Sequence, residues 1–320
     1  MMIKRIFELM NRVVGKTEEM DRFEQIQKAT KVEGDRIRLL IGELLARKVC
    51  ENGIYGNIHN AEFKVFSQFG DDGIIQYLVE QIQPEVKIFI EFGVENYTEA
   101  NTRFLLMNNN WCGLIIDGNP VNIDFVRKVD YFWRYDLQAV SQFVDRENIN
   151  SIFEAAGFIG EIGLLSIDID GNDYWVWESI DSVDPAIVVV EYNSIFGPDH
   201  AITIPYDPTF YRAKAHYSNL FWGCSLKALC VLADKKGYAF VGSNSAGNNA
   251  YFVRKDKVGK IPVLTCDQGF VESRFRESRD INGDLTFLAS EKRIEAIKEM
   301  KVVDIQNNKL ISLCSLFNLN

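Results

Sequence analysis

The middle of this chain carries five short runs, four rich in Ile, Val, Leu or Phe and one aromatic, each too short for a buried helix. They occupy residues 87–93, 111–117, 131–137, 163–170 and 186–191. Stretches with helical spacing separate them, including residues 99–108 and 121–128. Runs of Ile, Val, Leu and Phe bounded by turn residues and alternating with helices describe a parallel sheet covered on both faces. Two more runs, 238–241 and 250–253, flank a Ser/Asn/Gly loop and predict an antiparallel pair that closes the sheet.

The flanks read differently. Ile3, Ile6, Phe7, Met10 and Val14, then Phe23, Ile26, Ile37, Leu40, Ile41 and Leu44, recur at helical spacing, with Gly15 and Gly34 as expected interruptions. Residues 1–60 are therefore expected to form a helical extension that packs on the main domain or makes a homodimer. Residues 61–260 form the main domain, interrupted at 193–224 by a segment rich in Pro, Tyr and His that suits a substrate lid. Residues 261–320 form a small C-terminal addition. The expected fold is α/β, a doubly wound, Rossmann-like, seven-stranded and mostly parallel sheet.

Charge narrows the partners. With 35 Lys and Arg against 45 Asp and Glu, the 320-residue chain carries a net charge of −10. That balance disfavours nonspecific binding to nucleic acid or to an anionic membrane, and points to a small-molecule substrate. The six cysteines show no CxxC pair and no zinc-like cluster with histidine. No run approaches the roughly 20 apolar residues of a membrane span. A cytoplasmic location without membrane insertion is expected.

Ligands of open parallel sheets bind beyond the carboxyl ends of the strands. Acidic residues stand at each end as read here: Glu91, Asp117, Asp136, Asp168 with Asp170, and Glu191. The first loop keeps Gly93 but lacks the G-x-G-x-x-G spacing that cradles a pyrophosphate, which argues against NAD. Asp117 can accept both hydroxyls of a ribose, and Gly118 and Asn119 leave room for an adenine.

With these residues the chain resembles a class I S-adenosylmethionine-dependent methyltransferase, most similar to the FkbM-like group and related bacterial sugar O-methyltransferases. The resemblance rests on Ser67-Gln68-Phe69-Gly70-Asp71-Asp72-Gly73, Phe89-Ile90-Glu91-Phe92-Gly93, Asn101-Thr102-Arg103, Trp111-Cys112-Gly113-Leu114-Ile115-Ile116-Asp117 and Ser166-Ile167-Asp168-Ile169-Asp170-Gly171. It spans roughly residues 65–255, and departs in the first loop, where Asn96, Tyr97 and Thr98 replace a later glycine. The resemblance implies S-adenosylmethionine as methyl donor. Glu91 and Gly93 would face its methionine end and sugar, Asp117 its ribose hydroxyls, Asn119 and Asp136 its adenine, and Gln68 and Asn101 its amino-acid moiety. It also implies a sugar or sugar-nucleotide hydroxyl as acceptor, in capsule or lipopolysaccharide synthesis.

Two clusters remain. Alternation along a strand puts Asp168 and Asp170 on one side, next to Glu191 and Asn193 at the end of the following strand. Hard oxygen ligands on adjacent strand ends suit a divalent cation such as Mn²⁺, Mg²⁺ or Fe²⁺, with Asp170, Glu191 and Asn193 as ligands. Such a cation would lower a substrate hydroxyl's pKa, with Asp168 beside it in catalysis. His200, in the lid segment, is the candidate general base. An NAD-linked sugar oxidoreductase or epimerase, or a noncatalytic module on the same sheet, is the alternative. The first lacks a Tyr-x-x-x-Lys pair at Tyr192 or Tyr211.

Overall fold

The computed structural model describes residues 2–319, apart from the side chains of residues 2–19, 21, 24 and 28, so Ile3, Ile6, Phe7, Met10 and Val14 lie outside the described side chains. The chain divides into two compact units at Leu44 and Leu45. The first consists of most of one continuous helix, α1 (Met2–Glu51). Gly15 and Gly34 do not interrupt it. A glycine inside a helix costs only about 1 kcal/mol and ends the helix only where a left-handed residue follows. Phe23, Ile26, Ile37, Leu40 and Leu44 are exposed along it.

The second unit holds the sheet. Its strands are β1 (Ile88–Phe92), β2 (Cys112–Asp117), β3 (Leu137–Ser141), β4 (Gly160–Ile167), β5 (Val183–Glu191), β6 (Ile202–Thr203), β7 (Tyr238–Ser243), β8 (Asn249–Arg254), β9 (Lys301–Asp304) and β10 (Lys309–Ser312). Seven form one sheet in the order β3-β2-β1-β4-β5-β8-β7, and a smaller sheet runs β10-β9-β6. Strands β1 to β5 pair in parallel, while β8 is antiparallel to both β5 and β7. This is the expected doubly wound sheet with one reversed strand. It is buried because nearly every residue of β1, β2, β4 and β5 is apolar, so helices must cover both faces. Helix α2 (Asp71–Ile82) precedes β1, and α3 (Arg103–Asn109), α4 (Pro120–Val126), α5 (Ile149–Ala155), α6 (Asp173–Ser179), α7 (Arg212–Ala215) and α8 (Leu226–Lys236) lie between later strands.

The third strand starts six residues later than its aromatic run suggested. Residues 131–135 coil through i to i+3 and i+4 bonds, with Arg134 N–H donating to Tyr131 O at 3.0 Å and Tyr135 N–H at 3.3 Å. Trp133 stands exposed. The ladder to β2 begins only at Leu137, opposite Gly113. Asp136 is therefore at the amino end of β3, at the far edge of the sheet from the ligand side.

Candidate active site

The loops beyond the carboxyl ends of β1, β2, β3, β4 and β5 enclose a cavity of about 1030 Å³. Where β1 ends, Gly93 adopts φ +81°, and a Cβ there would lie 1.5 Å from the Asp168 carbonyl oxygen. Only glycine lets the first loop cross the end of β4 this closely. Glu95 and Tyr97 follow at φ +47° and +57°, conformations side chains rarely adopt. Tyr97 is fully buried, and its hydroxyl lies 2.8 Å from Thr102 Oγ1. Burial and this bond hold the turn that a glycine would form in the related pattern.

Two carboxylates brace this loop. Glu91 Oε1 accepts the Asn101 N–H at 2.8 Å, and Oε2 accepts the Thr102 N–H at 3.0 Å and its hydroxyl at 2.5 Å. Burial pushes the Glu91 carboxyl above its usual range, opposed by these donors. Asp117 Oδ2 accepts the Glu95 N–H at 2.8 Å, while Oδ1 accepts the Asn119 N–H at 2.8 Å and Asn122 Nδ2–H at 3.0 Å. Asn119 caps α4 by accepting the Val121 N–H at 3.0 Å. Gln68, Gly93, Asn101, Asp117, Gly118 and Asn119 all line the cavity.

Behind Gln68, Asp72 is the anchor. Its Oδ2 accepts the N–H groups of Val65, Phe66 and Ser67 at 2.7–2.8 Å and the Ser67 hydroxyl at 2.8 Å. The helix cap is Gly70, so neither Asp71 nor Asp72 caps α2. Asp71 Oδ1 instead accepts Asn244 Nδ2–H at 2.8 Å, Asn249 Nδ2–H at 3.0 Å and the Tyr251 hydroxyl at 2.5 Å.

The opposite wall comes from β4, β5, β8 and the lid segment. Asp168 and Glu191 lie within hydrogen-bond reach of each other, and burial together with neighbouring carboxylates raises both well above the carboxylate range. Two carboxyls this close cannot both ionise, so the pair shares a proton. Asp170 adopts φ +53°, and Asp173 holds the turn around it by accepting the Ile169 and Gly171 N–H groups at 2.9 Å each. This geometry aims Asp170 at Arg212, 2.6 Å away, whose other arm lies 3.5 Å from Glu277. Phe210 packs where a Gly171 Cβ would stand, 2.4 Å from its ring. Phe69 and Phe275, which both line the cavity, stack at 6.0 Å.

Three sequence expectations are corrected. Asp136 is not among the lining residues, because β3 begins after it; Gln142 and Phe143, beyond the true strand end, line the cavity instead. His200 is drawn to the small sheet, because β6 pairs with β9 two residues later. Its carbonyl accepts the Ser225 hydroxyl at 2.7 Å and its ring packs on Phe317, away from the cavity. Asn193 is consumed as a strut: Nδ2 donates to Leu220 O and Trp222 O at 3.0 Å each, and Oδ1 accepts the Ile195 N–H at 3.1 Å.

With Asn193 occupied and Asp170 held by Arg212, the expected cation ligands are not presented together. Among the described residues, no group of three or more His, Cys, Asp or Glu side chains could hold a metal ion. The donor set does not fit the expected divalent site.

Sequence reasoning missed Arg212, Asn172, Asn249, Phe275 and Glu277, which all line the cavity. Arg212 sits inside the segment expected as a lid, and Asn249 ends the polar loop between the last two strands of the sheet. Those two polar segments were the available signal.

No family model and no curated protein matches the chain. Among solved structures, the N-terminal domain of EvdMO1 with SAH bound is 10% identical with a TM-score of 0.39, over 66% of this chain and 93% of that one. The O-methyltransferase from Bacillus cereus in complex with SAH is 12% identical with a TM-score of 0.38, over 66% and 88%. A S-adenosylmethionine-dependent methyltransferase from Clostridium acetobutylicum ATCC 824 is 9% identical with a TM-score of 0.38, over 57% and 89%. These likenesses are distant.

Proposed function

We propose that this chain is an S-adenosylmethionine-dependent O-methyltransferase acting on a sugar hydroxyl. One observation carries the reading: a single cavity joins a glycine-crossed first loop and a carboxylate at the end of β2 to a proton-sharing carboxyl pair at the ends of β4 and β5. The donor's ribose would lie against Asp117, with the Asn122 amide yielding its bond. Its adenine would lie beside Gly118, Gln142 and Phe143, and its amino-acid end near Gln68 and Asn101. The loop after β1 keeps Gly93 but lacks the glycine spacing of a pyrophosphate site, which disfavours the oxidoreductase alternative.

The donor supplies its own sulfonium leaving group, so the protein has to align two reactants and take one proton. The acceptor oxygen forms a bond to the methyl carbon as the carbon–sulfur bond breaks, and the electron pair stays on sulfur. The hydroxyl proton passes to the ionised member of the Asp168–Glu191 pair. The donor enters as a cation and leaves as a neutral thioether. Among the described residues, eight carboxyl side chains, two of them sharing a proton, line the cavity against Arg212, a balance that favours the donor over its product. This division of roles takes His200 and a metal out of the reaction expected from the sequence.

Calorimetry with S-adenosylmethionine, S-adenosylhomocysteine and NAD tests the reading. Saturable heat with the first two and none with NAD is expected. Binding of NAD alone, or of none of the three, overturns it.

A further inference from the structure

The acceptor wall says what kind of molecule it takes, an inference that rests on the methyl-transfer reading. Glu191 is 7% exposed, Asn249 4% and Asn172 3%, and each lines the cavity. Glu191 Oε2, Asn249 Oδ1 and Asn172 Oδ1 are buried without a hydrogen-bond partner. The amide nitrogen of each asparagine already donates one hydrogen bond, Asn249 Nδ2 to Asp71 at 3.0 Å and Asn172 Nδ2 to the Asp207 carbonyl at 2.8 Å. Their oxygens are the atoms with no bond at all. Glu191 and Asn249 face each other across the β5–β8 ladder, which keeps two of the three side by side. Among the described residues, the partnerless buried atoms on this wall are all oxygens that can accept.

Charge points the same way. Asp168, Glu191, Asp170 and Glu277 put four carboxyl side chains on this side of the cavity. Among the described residues, Arg212 is the one guanidinium lining the cavity, and Asp170 and Glu277 already hold it. The nearby Arg274, Arg276 and Arg279 are not among the lining residues. A buried acceptor without a donor costs about 1–3 kcal/mol, and a ligand that brings N–H groups recovers it. A phosphate would bring only acceptors and like charge.

We infer that the acceptor is an amino sugar or a similar amino alcohol, its ammonium N–H groups held by Glu191, Asn249 and Asn172, with no phosphate against this wall. The neutral or cationic substrate class follows, and sugar nucleotides are disfavoured.

The test uses D-glucosamine, D-glucose, N-acetyl-D-glucosamine and D-glucose 6-phosphate as probes, titrated into full-length protein by calorimetry with and without S-adenosylhomocysteine. Glucosamine is expected to bind about tenfold or more tighter than glucose or its N-acetyl form, a difference of about 1.4 kcal/mol, with glucose 6-phosphate weakest. Glu191→Gln, its folding checked by thermal unfolding, should bring glucosamine down to the level of glucose. Equal binding of glucosamine and glucose, preference for the phosphate, or no binding of any probe at millimolar concentration overturns the inference. Failure of S-adenosylhomocysteine to bind would instead overturn the methyl-transfer reading, because the probe ranking without it still reports on the wall.

Discussion

The two walls of the cavity use carboxylates in opposite ways. On the β1–β2 side, all four oxygens of Glu91 and Asp117 accept hydrogen bonds from backbone N–H groups or neighbouring side chains. On the β4–β5 side, Asp168 and Glu191 lean on each other and leave one oxygen of Glu191 without a partner. The first wall uses its acids to fix the shape of its loops, which suits the proposed donor pocket. In the proposed reaction the acids of the second exchange a proton and meet the substrate. Position at a strand end is common to both; the partners decide the role.

The largest expected effect breaks the first wall. Glu91→Ala leaves the buried Asn101 and Thr102 N–H groups unpaired, at about 1–3 kcal/mol each, so both melting temperature and donor affinity should fall sharply. A thermal scan that matches the parent protein would mean that the loop does not depend on Glu91. Next comes Glu191→Gln, which disables the proton-accepting pair. Methyl transfer to an accepted substrate should slow by about 10²–10⁴-fold while donor affinity holds. A fall in donor affinity of similar size would erase the distinction between the walls.

The pH response sharpens the same contrast. The folded pair keeps a proton that the unfolded chain releases near about pH 4. Its contribution to stability is therefore fully present below that pH and is lost as pH rises through the raised folded-state value. Melting temperature should fall with rising pH over this window in the parent protein and less steeply in Glu191→Gln. Identical slopes would mean that the pair does not share a proton. The smallest effect is expected at Phe143→Ala. This half-exposed ring sits over Gly118, and its loss should weaken S-adenosylhomocysteine binding a few-fold, through about 1 kcal/mol of stacking. No change in affinity would move the adenine elsewhere.

The sheet was legible because its signal is repetitive: apolar runs buried on two faces have few alternatives. The β1–β2 wall was legible for a related reason, since Gly93 and Asp117 sit at strand ends that the runs themselves mark. Asp136 misled because an aromatic run can coil as readily as extend, and the strand's limit was fixed by its ladder to β2. Asn193 and His200 misled because a residue's place along the chain does not say which carbonyl or ring will claim it. Arg212, Glu277 and Asn249 come from segments without periodicity, so only tertiary folding brings them to the site. Tyr97 shows how a local rule can fail harmlessly: burial and one hydrogen bond hold a backbone turn that the related pattern gives to glycine.

The most direct test of the division between the walls is the dissociation constant of S-adenosylhomocysteine for Asp117→Ala and Glu191→Gln, measured side by side by calorimetry. Asp117→Ala should weaken binding by about tenfold or more, as loss of charge-assisted bonds to two ribose hydroxyls requires, and Glu191→Gln should leave it unchanged. Equal weakening in both variants would contradict the account.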